Sequence, residues 1–195
     1  LHPRVRRQRQ MCIRDSCFIP KENVLRIIDC MAMLKINKLH FHLTDDNGWR
    51  IEIKKYPLLT KIGSKRRDSQ SGGFNSEIYI GEPHEGFYTQ EQIKRILAYA
   101  KERHIKVVPE IEMPGHASAA IASYPWLGSS DEKIEVPVRF GKLYSVYNVI
   151  DPQVQTFLKE VVSEVLDLFQ CDVIHVGGDE VRFNQWEANP MMVSY

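Results

Sequence analysis

No run of apolar residues in this sequence approaches the roughly 20 needed to cross a bilayer, and no membrane span is expected. Charge of one sign is not in excess. Lysine and arginine number 26 against 25 aspartates and glutamates, a net charge of +1, which leaves no electrostatic case for nucleic acid or an anionic membrane as partner. Cysteine is scarce. Cys12, Cys17, Cys30 and Cys171 have no metal-ligand spacing and form no dense disulfide framework. Cys30, on a predicted helix, and Cys171, before a predicted strand, read as small core residues. No internal repeat at fixed period occurs. What is present is ordinary globular material: 195 residues, 43% hydrophobic and 26% charged, enough apolar mass for one core.

The opening stretch, "LHPRVRRQRQMCIRDS", is rich in arginine and has almost no apolar periodicity. No apolar signal-peptide core follows it. "MCIRDS" resembles translated sequencing-adaptor sequence. Residues 1–16 are therefore expected to be an artefactual or disordered leader, with the native reading frame starting near Cys17 and any signal peptide out of view.

From there the pattern alternates. Pro20 to about Asn37 reads as a helix with Val24, Ile27, Ile28, Met31 and Leu34 on one face. "KLHFHLTDD" alternates as a strand, with Leu39, Phe41 and Leu43 on one face and His40 and His42 on the other, and ends in a polar turn. Residues 60–88 read as a long loop. "TQEQ" is a capping box that opens a second helix, with Ile93, Ile96, Leu97 and Ala100 on its buried face. A second strand lies in "IKVVPEIEMPGH". Asp151 caps a third helix with Pro152 in its first turn, and "DVIHV" reads as a third strand. Helix–strand alternation of this kind implies a parallel α/β sheet.

The residues able to do chemistry follow the strands: Asp45 and Asp46, then Glu110, Glu112 and His116, then Asp179 and Glu180. Active sites of parallel α/β folds lie at the carboxyl ends of strands. Any one acid at a strand end is more often a helix cap, and Trp49, Trp126 and Trp186 read as packing. Acids at three strand ends point instead to one pocket. His40 and His42, at i and i+2, share a face and could bind a metal with His116, His175 and Asp179. They precede the strand end, however, and read as polar interior residues, so no metal or other cofactor is expected. Asp179 and Glu180 are adjacent in "HVGGDEV", too close to straddle a glycosidic bond as an ordinary carboxylate pair does. A substrate bearing a 2-acetamido group removes the difficulty. Its carbonyl oxygen attacks the anomeric carbon, one acid protonates the leaving oxygen, and the other holds the acetamido N–H.

"KLHFHLTDDNGWRIEIKKYPLLTKIG", "GFYTQEQIKRILAYAKERHIKVVPEIEMPGHASAAIASYPWLG" and "DVIHVGGDEV" resemble the family-20 glycoside hydrolases, the β-N-acetylhexosaminidases, from about Cys17 to about Pro190. The resemblance implies a partial (β/α)8 TIM barrel over residues 17–195, roughly strands 2 to 4 of eight with their helices. It implies Glu180 as general acid/base and Asp179 as the carboxylate that orients the 2-acetamido group. Asp45 and His116 would be the relay supporting Glu180, and Glu112 a residue of the substrate site. Gly177 and Gly178 would allow close packing beneath the acids. The family's sugar-gripping arginine ends its first strand, and Arg14 is not assigned that role. The implied partner is a terminal N-acetylglucosamine or N-acetylgalactosamine glycoside. The full-length parent is expected to be secreted or periplasmic, and the fragment inactive and poorly folded. The alternatives are a metal-dependent TIM-barrel hydrolase using His40 and His42, or a non-catalytic carbohydrate-binding relative.

Overall fold

A computed structural model of the chain describes residues 10–13, 17–72, 75–139 and 145–194. Three strands, β1 (Gln10–Ile13), β2 (Lys38–His42) and β3 (Lys106–Glu110), form a parallel sheet in that order. Parallel neighbours cannot be joined by a tight turn, so a helix crosses between them. Helix α1 (Lys21–Met33) precedes β2 and α2 (Gln90–Glu102) precedes β3. The short α3 (Ser118–Ser123) and the long α4 (Pro152–Phe169) follow. Helix α1 packs on α2, and α2 on α4.

The core sits between this helical layer and β2, where Leu39, Phe41 and Leu43 are fully buried. Helix α1 contributes Val24, Ile28 and Met31, the i, i+4, i+7 stripe of an amphipathic helix. Cys30 lies off that stripe and is exposed, contrary to its reading as a core residue. The helix ends at Met33, short of Asn37, because Lys35 turns to φ +56 and the Ile36 N–H bonds back to the Met31 carbonyl at 2.8 Å. Thr89 and Gln92 make the capping box of α2, each side chain accepting from the other's backbone N–H. Asp151 caps α4 by accepting the Gln153 N–H at 2.7 Å.

Three differences from the sequence reading bear on the site. Residues 10–13, within the stretch set aside as a leader, pair along β2 from Gln10–Lys38 to Ile13–Phe41. That pairing joins main chain to main chain, and an open strand edge templates extended chain with little demand on sequence. Arg14 lies outside the described residues. The third expected strand is reduced to one parallel bridge, Glu110 to His175. It is bonded to the β3 side through Ile111 N–H to His175 O (3.0 Å) and His175 N–H to Pro109 O (2.9 Å). No strand covers its other side among the described residues. Finally, residues 60–88 hold short antiparallel ladders, Lys65–Arg66 with His84–Glu85 and Gln70–Ser71 with Ile78–Tyr79.

Candidate active site

Beyond β2 the chain folds back at once. Thr44 and Asp45 pair with Trp49 and Gly48, leaving Asp46 and Asn47 at the tip of a tight hairpin. Asn47 is buried, and its side-chain amide donates to the carbonyls of Pro137 and Arg139, both at 2.8 Å. Its own carbonyl accepts from the guanidinium groups of Arg50 (3.2 Å) and Arg66 (3.0 Å). Asp45 and Asp46 are thereby fixed at the carboxyl end of the sheet.

His116 meets them from the loop after β3, with φ +48, a left-handed conformation that residues other than glycine adopt uncommonly. Its Nδ1 lies 2.9 Å from Asp45 Oδ1 and 3.1 Å from Asp46 Oδ2. The second oxygen of Asp46 accepts the Ser118 backbone N–H at 3.0 Å and the Ser118 hydroxyl. Hydrogen bonds to Asp45 and then Asp46, reinforced by their charges and opposed by burial, push His116 up to about 11. Burial works to raise Asp45. The hydrogen bond and charge of His116 more than offset it, so Asp45 is held below the usual carboxylate range. His116 is therefore an imidazolium at neutral pH. Its Nε2 faces Glu180 Oε2 at 3.7 Å, just beyond hydrogen-bond length. Behind this group the wholly buried Tyr147 has its hydroxyl raised by burial, then by the charges of Asp46 and Glu112.

The segment carrying the acids turns through three positive φ values, Gly177 at +67, Gly178 at +90 and Glu180 at +52. Asp179 and Glu180 are exposed, Glu180 with 70% of its side chain open. The two glycines serve different ends. A Cβ on Gly177 would fall 1.6 Å from Glu112 Oε2, whereas one on Gly178 would meet nothing within 4 Å. Close packing beneath the acids thus belongs to Gly177, and Gly178 supplies backbone conformation alone. Glu112 itself is 2% exposed, with Oε1 2.9 Å from His42 Nε2. It supports the segment from below.

Beneath the acids lies a layer of histidines and carboxylates that the sequence reading did not assemble, buried at Glu110, Glu112 and His42 and half open at His175. Glu110 places Oε2 2.6 Å from His40 Nε2 and Oε1 2.6 Å from His175 Nδ1. His40 and His42 do share a face, but they converge on these carboxylates. Four ligands held at about 2.0–2.2 Å around a tetrahedral zinc lie about 3.3–3.6 Å apart. The 2.6 Å and 2.9 Å spacings between ring nitrogens and carboxylate oxygens are shorter than that and are those of direct ion-pair contacts. Asp46, Ser118 and Glu110 are the members to which sequence reasoning gave no role, and His175 was named only as a candidate metal ligand. Asp46 and Glu110 were visible as acids at strand ends, while nothing in the sequence marked Ser118.

Acids and an imidazolium gathered at the carboxyl ends of parallel strands, on a helix-backed sheet, define an α/β catalytic domain. The particular family is glycosyl hydrolase family 20, to which this chain belongs, the profile of that family's catalytic domain matching residues 14–195. A beta-hexosaminidase of Porphyromonas gingivalis (strain ATCC BAA-308 / W83) is 44% identical over 176 residues, which cover 89% of this chain and 21% of that protein. The crystal structure of a beta-N-acetylhexosaminidase superposes with TM-score 0.88 at 35% identity, covering 98% of this chain and 39% of that one. A mutant Streptomyces plicatus beta-hexosaminidase in complex with product (GlcNAc) superposes with TM-score 0.78 at 34% identity, covering 95% and 35%. This chain spans well under half the length of each.

Proposed function

We propose that the full-length protein is an exo-acting, retaining β-N-acetylhexosaminidase that removes terminal N-acetylhexosamine with the help of the substrate's own acetamido group. In the first step the acetamido carbonyl oxygen bonds to the anomeric carbon as the glycosidic C–O bond breaks, and Glu180 gives its proton to the leaving oxygen. Asp179 accepts the acetamido N–H and balances the charge of the oxazolinium ring that forms. In the second step the Glu180 carboxylate takes a proton from water, whose oxygen bonds to the anomeric carbon as the ring opens. Two inversions at one carbon give net retention.

The observation that carries this reading is the line Asp45–His116–Glu180, with the imidazole bonded to Asp45 at 2.9 Å and facing Glu180 at 3.7 Å. His116 is positive and Asp179 directly precedes Glu180, so a cation and an acid both neighbour the proposed acid/base. That group must act first as acid and then as base. The GlcNAc in the Streptomyces plicatus complex supports the choice of sugar class. We assign the present chain alone no turnover. In the full-length protein, Asp179→Asn should lower kcat on an aryl N-acetyl-β-glucosaminide by about two to four orders of magnitude, the range of lost transition-state charge stabilisation. Wild-type turnover in that variant would refute the assignment.

A further inference from the structure

The histidine–carboxylate layer beneath the acids, buried at Glu110 and half open at His175, has no part in the chemistry above, yet it is built around the segment that carries them. Glu110 is 4% exposed and ends β3. Each of its two carboxylate oxygens reaches a histidine, Oε2 to His40 on β2 and Oε1 to His175, both at 2.6 Å. The His42 Nδ1 lies 3.7 Å from the same Oε2. The His40 and His175 rings lie against each other with centroids 4.8 Å apart. His175 Nδ1 has a second neighbour, the Gly177 N–H at 3.1 Å. One ring nitrogen cannot both donate and accept. The shorter contact, to a carboxylate, assigns the Nδ1 proton to Glu110.

We propose that Glu110 is a positioning residue for the acid pair, acting through His175. The inference rests on the hexosaminidase reading of Asp179 and Glu180. Main-chain bonds hold the segment at His175 (to Pro109 and Ile111) and at Val176 (from Met113). Beyond Val176 come two glycines with positive φ, one of which would meet nothing with a Cβ added. No side chain of Gly177 or Gly178 can therefore set the aim of the next two residues. The last side chain before them held by a buried charged partner is His175. Its 2.6 Å contact with Glu110 holds the ring, the Gly177 N–H lies 3.1 Å from the same ring nitrogen, and the Gly177 peptide sets the direction in which Asp179 and Glu180 leave the sheet. A misplacement of about 1 Å at a reacting group costs about a hundredfold in rate.

The test uses the full-length protein and p-nitrophenyl N-acetyl-β-glucosaminide, with Glu110→Gln, His175→Ala, His175→Asn and the double variant Glu110→Gln/His175→Ala. The side-chain N–H of asparagine takes the place of the imidazole Nδ1–H. Glu110→Gln and His175→Ala should each lower kcat about a hundredfold, the size of a positioning loss, with KM unchanged. His175→Asn should recover most of that loss. The double variant should be no worse than either single change, because both break one bond. Unchanged kcat, equal effects on kcat and KM, or additive losses would each overturn the proposal. Millisecond hydrogen exchange over residues 175–181 provides a readout independent of turnover. It should quicken in Glu110→Gln and His175→Ala but not in His175→Asn, and no quickening overturns the proposal whatever the activity. A wild-type protein inert on this substrate would count against the hexosaminidase reading and leave the exchange result to decide the positioning role.

Discussion

Gly177→Ala against Gly178→Ala separates two costs that act together wherever a glycine precedes a catalytic residue. Both positions have positive φ, +67 and +90. An alanine at either pays the left-handed penalty of about 1–2 kcal/mol. Only at Gly177 does the new methyl collide, 1.6 Å from Glu112 Oε2 and 2.4 Å from the carboxylate carbon. A carboxylate at the end of a free side chain would swing away. Glu112 is 2% exposed and lies against His42, so making room means moving a packed, paired group. Overpacking of that kind costs about 1–3 kcal/mol. Gly178→Ala should therefore destabilise the full-length protein by about 1–2 kcal/mol and Gly177→Ala by about 2–5 kcal/mol. Urea unfolding at constant m-value measures both. A double-mutant cycle with Glu112→Ala then isolates the clash, since the excess cost of Gly177→Ala should vanish once the carboxylate is gone. The reasoning fails if Gly177→Ala is no more costly than Gly178→Ala, or if the excess survives removal of Glu112.

Other outcomes follow from the same contacts. Because His116 is raised to about 11 from 6.5, its clamp stabilises the fold fully below about pH 6.5 and releases that stability as pH rises through about 11. Asp46→Asn should lower the His116 titration midpoint, read by imidazole NMR, and bring the alkaline loss of stability to lower pH. Asp45, being lowered, contributes above its ordinary range and loses that contribution as pH falls. Ser118→Ala reduces the two hydrogen bonds from residue 118 to Asp46 to one: the backbone N–H stays and the hydroxyl goes, a loss of about 1.5–3 kcal/mol for a bond to a charged group, measurable by thermal unfolding. Thr89→Ala should cost about 1 kcal/mol through the lost cap of α2. Prolonged chelation should leave turnover intact, and a loss restored by zinc would revive the metal reading of His40 and His42.

Periodicity made the helices and β2 legible, because the apolar stripe and the capping residues are local statements. Val24, Ile28 and Met31, or Thr89 with Gln92, need no distant partner to be read. The third strand was less legible. "DVIHV" has the composition of a buried strand, but pairing on one side leaves Val173 61% and Val176 44% exposed. Composition reports what a segment can do, and pairing depends on what lies beside it. Within the site, Asp45, His116 and Glu180 were found through a family resemblance, and the structure brings them to one place. Asp46 was named among the acids at strand ends but given no role, because the resemblance assigned the histidine partner to Asp45 alone. In space its carboxylate shares His116 Nδ1 with Asp45 and also holds Ser118, 72 residues away in sequence. The Glu110 layer was hidden for a similar reason. The face shared by His40 and His42 was plain, but the object they faced was not.

Asn47 gives the site a common datum. The loop bearing Pro137 and Arg139 lies 90 and 92 residues further along the chain, and the strand pair bearing Arg66 lies 19 residues away. Along such lengths small errors in backbone angle accumulate. Here each loop is measured instead from the residue beside Asp46, across a single hydrogen bond. These loops and the acids beside Asn47 therefore share one origin, and what happens to the intervening chain need not be transmitted to the site. The surroundings of the site can change in length and composition, provided that two carbonyls still reach the Asn47 side-chain amide and two guanidinium groups its main-chain carbonyl.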